Sequence, residues 1–239
     1  MPDATMKAKV ARVLTALDTV LATPEIEVSD DPLGELVATI LSQNTTDTNS
    51  GRAFDRLCAR FPTWREVLDA SRDELIAAIR VAGLAETKAE TIQSALTALD
   101  ADGGEPSLDC IRLMSDDEAI RFLSAFKGVG VKTAACVLLF GLGRDVCPVD
   151  THVHRVLNRL GVVVTKSPDA TFAALQPLAP EGCAYTLHVL LVRFGRRVCH
   201  ARNPLCSECV LFDECVFDAK HGHAERQTAA SVRGKRQGG

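Results

Sequence analysis

The chain has 239 residues, 46% apolar but only 5% aromatic, with a formal charge of −4. That suffices for one large domain or two small ones around an aliphatic core, and the acidic balance argues against indiscriminate nucleic-acid binding. No apolar run of about 18 residues exists to span a membrane, and the opening MPDATMKAKV has no signal-peptide core, so a cytoplasmic chain is expected, in which nine cysteines would not form disulfides.

The first periodic segment is KAKVARVLTALDTVLA, in which Val10, Val13, Leu14, Leu17, Val20 and Leu21 share one helical stripe. Phe54, Leu57, Cys58 and Phe61 repeat the pattern. Four hydroxyl-x-x-glutamate pairs then mark helix starts: Thr63…Glu66, Ser71…Glu74, Thr87…Glu90 and Ser115…Glu118. Later come the stripe Val153, Val156, Leu157 and Leu160 closed by Gly161, an extended connector GVVVTK at 161–166, and a Ser167 cap with Pro168 in first helical position. Period-2 alternation is nearly absent, so the fold is expected to be all-α. The tail 219–239 carries net charge +4 against −8 for the rest, has few apolar residues, and is expected to be disordered.

Between two of these helices lies EAIRFLSAF-KGVG-VKTAACVLLFG, a helix, a tight hairpin and a helix. Gly128 and Gly130 can take positive φ and admit a phosphate, and the amides opening the second helix point outward with the positive dipole end behind them. Val131 stands where a nucleotide P-loop needs glycine. On this stretch alone, an ordinary turn and a phosphate site are equally good readings. The charge nearby favours phosphate: residues 127–159 hold Lys127, Lys132, Arg144, Arg155 and Arg159 against Asp145 and Asp150, and residues 193–202 add four arginines with no acid. Lys132 reads either as a phosphate ligand or as a nucleophile. Asp150 precedes THVHRVLNRL and reads as a helix cap.

Cys199, Cys206, Cys209 and Cys215 in CHARNPLCSECVLFDEC could close on an iron–sulfur cluster or a tetrahedral zinc, or be a chance grouping. The other five, Cys58, Cys110, Cys136, Cys147 and Cys183, read as packing residues. His152, His154 and His188 read as structural hydrogen-bonders.

Together FKGVGVKTA, PVDTHVHRVLNRLG and the four-cysteine spacing resemble the endonuclease III family of helix-hairpin-helix DNA glycosylases, over roughly residues 25–217. The resemblance implies two helical lobes with a DNA-binding cleft between them. One is a six-helix barrel carrying the hairpin, over 25–143. The other is an iron–sulfur cluster lobe made of 1–24 and 144–218. It implies Lys132 as nucleophile, Asp150 as catalytic carboxylate, and a 4Fe–4S cluster on Cys199, Cys206, Cys209 and Cys215. DNA contacts are implied for Gly128, Val129, Gly130, Arg155 and Arg202. Leu84, and either Gln43 or Asn44, would fill the gap left by an extruded base. Ser124 stands where relatives often carry an acid, and Asn203 and Leu205 replace basic residues of the cluster loop.

The implied function is a monomeric, nucleoid-associated glycosylase and abasic-site lyase acting on double-stranded DNA with oxidised pyrimidines or abasic sites. Two rivals are an adenine-glycosylase-type relative without lyase activity, which the family's pattern separates by the absence of the lysine, and a non-catalytic helix-hairpin-helix DNA-binding module.

Overall fold

The computed structural model describes residues 4–100 and 103–237. Among them are twelve α-helices, short 3-10 and π turns, and no β-strand, in line with the all-α expectation. The chain divides into two compact units, Glu27–Val146 and Met1–Ile26 with Cys147–Gly239. The first helix, α1 (Ala4–Leu21), belongs to the second of these.

The continuous unit contains α2 (Pro32–Ser42), α3 (Asp47–Arg60), α4 (Trp64–Asp69), α5 (Arg72–Ile79), α6 (Ala85–Leu99), α7 (Asp116–Ser124) and α8 (Val131–Cys136). A 3-10 turn, Arg80–Ala82, links α5 to α6, and a π-helical turn, Val137–Gly141, continues α8. Helix α2 is apolar nearly all round, burying Leu33, Leu36, Val37, Ile40 and Leu41. Such a helix belongs at the centre, and α2 packs on α3, α6, α8 and the π turn.

Helix starts follow local chemistry. Ser71 and Ser115 form full capping boxes with Glu74 and Glu118, whereas Thr63 caps α4 by its hydroxyl alone, accepting from Glu66 N. The expected box Thr87…Glu90 does not form. Leu84 in left-handed conformation starts α6 three residues earlier, and Glu90 instead pairs with Lys127 and Arg72. Two cysteines expected as packing, Cys58 and Cys110, are exposed, while Cys136 and Cys147 are buried; the stripe containing Cys58 keeps Leu57 and Phe61 inside and turns the thiol outward.

In the second unit α1 joins α9 (Thr151–Arg159), α10 (Pro168–Leu175), α11 (Ala184–Arg197) and α12 (Lys220–Gln237). Val10, Val13 and Leu17 are buried where α1 packs on α11. Val153, Val156 and Leu157 are buried along α9, and Gly161, at φ +67°, ends it. Residues 220–237, expected to be disordered, are helical; 238–239 lie outside the described residues. The composition is too polar for a core, and polar anchors replace one. Lys220 Nζ donates to Phe212 O at 2.8 Å and Cys215 O at 2.6 Å, and Gln227 Nε2 donates to Pro204 O at 2.8 Å. No described helix is long and apolar enough to cross a membrane.

Candidate active site

The hairpin between α7 and α8 turns on Gly128, whose φ of +78° is left-handed. A Cβ there would lie 2.7 Å from Thr91 Oγ1 on α6, so both the dihedral and the contact require glycine. Val129 N donates to Phe126 O at 3.1 Å and closes the turn, with the valine side chain buried. Gly128 N and Gly130 N have no acceptor among the described residues. Unpaired amides at a helix start form a ready anion site.

Lys132 follows in the first turn of α8, half-buried, beside Thr133 and Ala134, which are buried. Lys127, the other hairpin lysine, is paired with Glu90. Ser124 Oγ, at the end of α7, is buried with no hydrogen-bond partner among the described residues.

Sequence reading missed Glu35, in the first turn of α2. Burial pushes its carboxyl up to about 7; the hydroxyl of Thr39, donating at 3.1 Å, and the positive charge of Lys132 pull the other way, while Asp31 adds to the rise. Gly141 makes room for it, since a Cβ there would lie 3.3 Å from Glu35 Cβ. A carboxyl that titrates near neutrality therefore stands within the field of the Lys132 amine.

The raised value has a stability consequence. The folded chain holds this proton to higher pH than the unfolded chain does, so the contribution is fully present below the ordinary value of 4.5 and is lost as pH rises through about 7. The shift corresponds to roughly 3 kcal/mol at most. Glu35→Gln, which cannot ionise, should gain about 1–3 kcal/mol on the parent between pH 5 and pH 8. Urea denaturation at both pH values measures it, and a gain that shrinks with rising pH would contradict the sign.

Two loop tips carry the residues implied for base extrusion. Leu84 is 58% exposed at φ +49°. A leucine in left-handed conformation costs about 1–2 kcal/mol, so an apolar side chain is held in water on a strained backbone. Asn44, at φ +52°, forms the exposed tip of its loop, and Gln43, half-buried, ends α2 with its amide on Ile40 O.

In the other unit Asp150 caps α9. Its Oδ1 accepts from His152 N and Val153 N, each at 2.8 Å. The three histidines hydrogen-bond structurally: Nδ1 of His154 with Thr171 Oγ1, of His188 with Pro148 O, and of His152 with Arg155 Nη2.

Arg155, expected on DNA, is engaged within its own unit. Nε donates to Cys199 O at 3.0 Å and Nη2 to Gly195 O at 2.9 Å. Arg159 does the same next door, donating to His200 O at 2.7 Å and lying 3.3 Å from Cys199 Sγ. From α9 these two arginines support the cysteine segment. Arg202 is exposed in that segment.

Cys199, Cys206, Cys209 and Cys215 converge. Burial pushes the Cys209 thiol up to about 11, and the neighbouring thiols of Cys199, Cys215 and Cys206 add to the rise. Burial likewise raises Cys206, with Cys199 and Cys215 adding, while Arg159 and Lys220 oppose. Four sulphurs in one another's field, flanked by two cations, fit the anionic thiolate shell of an iron–sulfur cluster. Among the described residues no His, Cys, Asp or Glu group has the tight arrangement of a single-ion site.

The chain is similar to known proteins. Residues 37–181 match the HhH-GPD superfamily base excision DNA repair protein, and residues 199–215 match the iron-sulfur binding domain of endonuclease III. Endonuclease III of Thermotoga maritima is 36% identical over 203 residues, 84% of this chain and 91% of that protein. A solved non-covalent endonuclease III–DNA complex superimposes with a TM-score of 0.73 at 28% identity, covering 93% of this chain and 98% of the other. A trapped endonuclease III–DNA covalent intermediate does so with the same TM-score and coverage at 27% identity.

Proposed function

The chain belongs to the HhH-GPD superfamily of base excision DNA repair proteins, in its endonuclease III branch, and on that premise we propose Lys132 as the nucleophile, Asp150 as the catalytic carboxylate, and oxidised pyrimidines in duplex DNA as the substrate. The enzyme is a DNA glycosylase and abasic-site lyase, its partner is DNA, and its cofactor is a 4Fe–4S cluster of the kind endonuclease III carries. We place it as a monomer at the nucleoid, where its substrate lies.

The observation that carries the residue assignment is the hairpin itself. Unpaired amides at Gly128 and Gly130 suit a backbone phosphate, and Lys132 stands two residues on. A phosphate held there brings one nucleotide's sugar to the amine. Extrusion of the base is required because C1′ is unreachable in a stacked duplex.

Only a neutral amine attacks carbon, so the Lys132 nitrogen must be free of its third proton when it reacts. The Glu35 carboxyl lies within the field of that amine. The neutral amine attacks C1′; the glycosidic bond breaks, and the base leaves with its electron pair and takes up a proton. Positive charge that develops on the sugar is stabilised by the Asp150 carboxylate, which its cap bonds hold in one orientation. Opening of the sugar ring gives an imine between Nζ and C1′. The imine acidifies C2′–H, and loss of that proton expels the 3′ phosphate by β-elimination. Water then hydrolyses the imine and frees the lysine.

The four cysteine thiolates would hold the cluster, which when bound cross-links the segment 199–215. Arg202, exposed in that segment, would meet the DNA backbone.

The substrate class is tested with three duplexes, bearing thymine glycol, 8-oxoguanine opposite cytosine, or no lesion. Release of thymine glycol with strand cleavage on its 3′ side, at least about tenfold faster than release of 8-oxoguanine, is the expected result. Equal or reversed rates would refute the pyrimidine assignment while leaving the glycosylase standing.

A further inference from the structure

Lys88 lies on the inner stripe of α6 with Thr91, Ile92 and Ala95, and is 2% exposed. A buried ammonium is costly unless its protons are used. Here Nζ donates to Leu41 O and to Ala82 O, each at 2.8 Å. Leu41 O is one of the carbonyls that the end of α2 leaves unpaired, and the negative end of that helix dipole suits a cation. Ala82 is the last residue of the 3-10 turn between α5 and α6, which Gly83 N closes by donating to Arg80 O.

Both carbonyls stand just ahead of a left-handed residue. Three residues after Leu41 comes Asn44 at φ +52°; two residues after Ala82 comes Leu84 at φ +49°, behind Gly83 at φ +68°. Lys88 N also donates to Leu84 O at 3.0 Å. One residue is thus bonded to the roots of both strained tips, and to one tip directly. A methionine could fill the same volume without bonding either loop; the ammonium sets their separation.

We propose that Lys88 is a positioning residue for base extrusion, whose ammonium holds the 42–44 loop and the 83–84 loop in fixed register so that Asn44 and Leu84 enter the stack together. The proposal rests on the reading of those loops as the segments that fill the vacated space. Lys88 touches neither DNA nor the reacting atoms, and acts only through the carbonyls of Leu41 and Ala82. An error of about 1 Å in such placement can cost about a hundredfold in rate.

The test uses the cluster-loaded full chain and its Lys88→Met variant, with Lys88→Gln alongside because its amide can still serve one carbonyl if the methionine variant does not fold. Single-turnover excision is measured on a thymine-glycol:adenine duplex and on the same strand with a stable abasic analogue opposite the lesion, where no pair has to be broken. Fluorescence of 2-aminopurine placed opposite the lesion reports extrusion. The paired duplex should be cut at least about tenfold more slowly by the variant and its fluorescence rise should be lost, while the unpaired substrate is processed within about threefold of the parent. Equal losses on both substrates would overturn the proposal and make Lys88 a general support of the fold; an unchanged rate on the paired duplex would overturn it outright. Leu84→Ala separates the underlying reading: if it leaves extrusion and excision intact, the loops are not the wedge, whatever Lys88 does.

Discussion

Lys132→Gln is expected to bind lesion-bearing duplex about as well as the parent, yet release no base, form no imine and cut no strand, with a single-turnover rate below about a thousandth of the parent's. Glutamine keeps most of the length and the hydrogen-bonding capacity of the side chain but has no nucleophilic nitrogen. It leaves untouched the left-handed Gly128, its contact with Thr91 and the unpaired amides of Gly128 and Gly130, so the phosphate site should survive. A lysine that only gripped phosphate would give the reverse pattern: weaker binding, a salt dependence shallower by about one counterion, and normal turnover at saturation. Lys132→Arg separates the two readings further, because arginine keeps the charge and does not form the imine. Restored activity in the arginine variant would return Lys132 to an electrostatic role.

Asp150→Asn should barely move stability and should lower the rate by about 10²–10⁴. Stability is kept because the cap is kept. Oδ1 accepts both amides, from His152 and Val153, at 2.8 Å, and asparagine ranks with aspartate as a helix cap. Only the attraction between carboxylate and helix dipole is lost, about 0.3–1 kcal/mol. The rate falls because a neutral amide cannot balance a sugar turning cationic. Denaturant midpoint and single-turnover rate, measured on the same preparation, separate the two roles. A rate within about threefold of the parent would reduce Asp150 to a cap; a large loss of both would mean that the cap, not the charge, was removed.

The residues that were legible in sequence are those whose signal is local. Val153, Val156 and Leu157 are buried as their spacing requires, Ser71 and Ser115 cap with their glutamates, Ser167 caps α10, and Gly161 ends α9. Gly128 declared itself for the same reason, because a left-handed turn before a helix needs that residue type, whereas Gly130, also expected at positive φ, is extended at φ −98° because the chain has already turned at Gly128. Thr87…Glu90 carried the same local pattern as Ser71…Glu74 and failed. Leu84 bends into left-handed conformation and starts α6 early, a strain that no propensity foretells. Glu35 and Lys88 were invisible because their meaning lies in burial and in one distant partner each, Lys132 for the first and Leu41 for the second. The only trace of Lys88 in the sequence is its place on the stripe with Ile92 and Ala95, where a lysine is out of pattern. For Arg155 the charge suggested phosphate, and nothing local foretold that its guanidinium also donates to Cys199 O and Gly195 O. The helix of the polar tail was hidden too, since composition rules out a core but not the anchors that Lys220 and Gln227 find on the cysteine segment.

Everything in the proposed chemistry depends on one amine becoming bonded to the sugar. Borohydride reduction of the enzyme on an abasic-site duplex, with proteolysis and mass mapping of the adduct, tests that bond at the atom concerned. A single cross-linked peptide modified at Lys132 is the expected result. An adduct mapped to Lys127, to the N-terminal amine or to any other lysine, or active enzyme that yields no adduct, would contradict it.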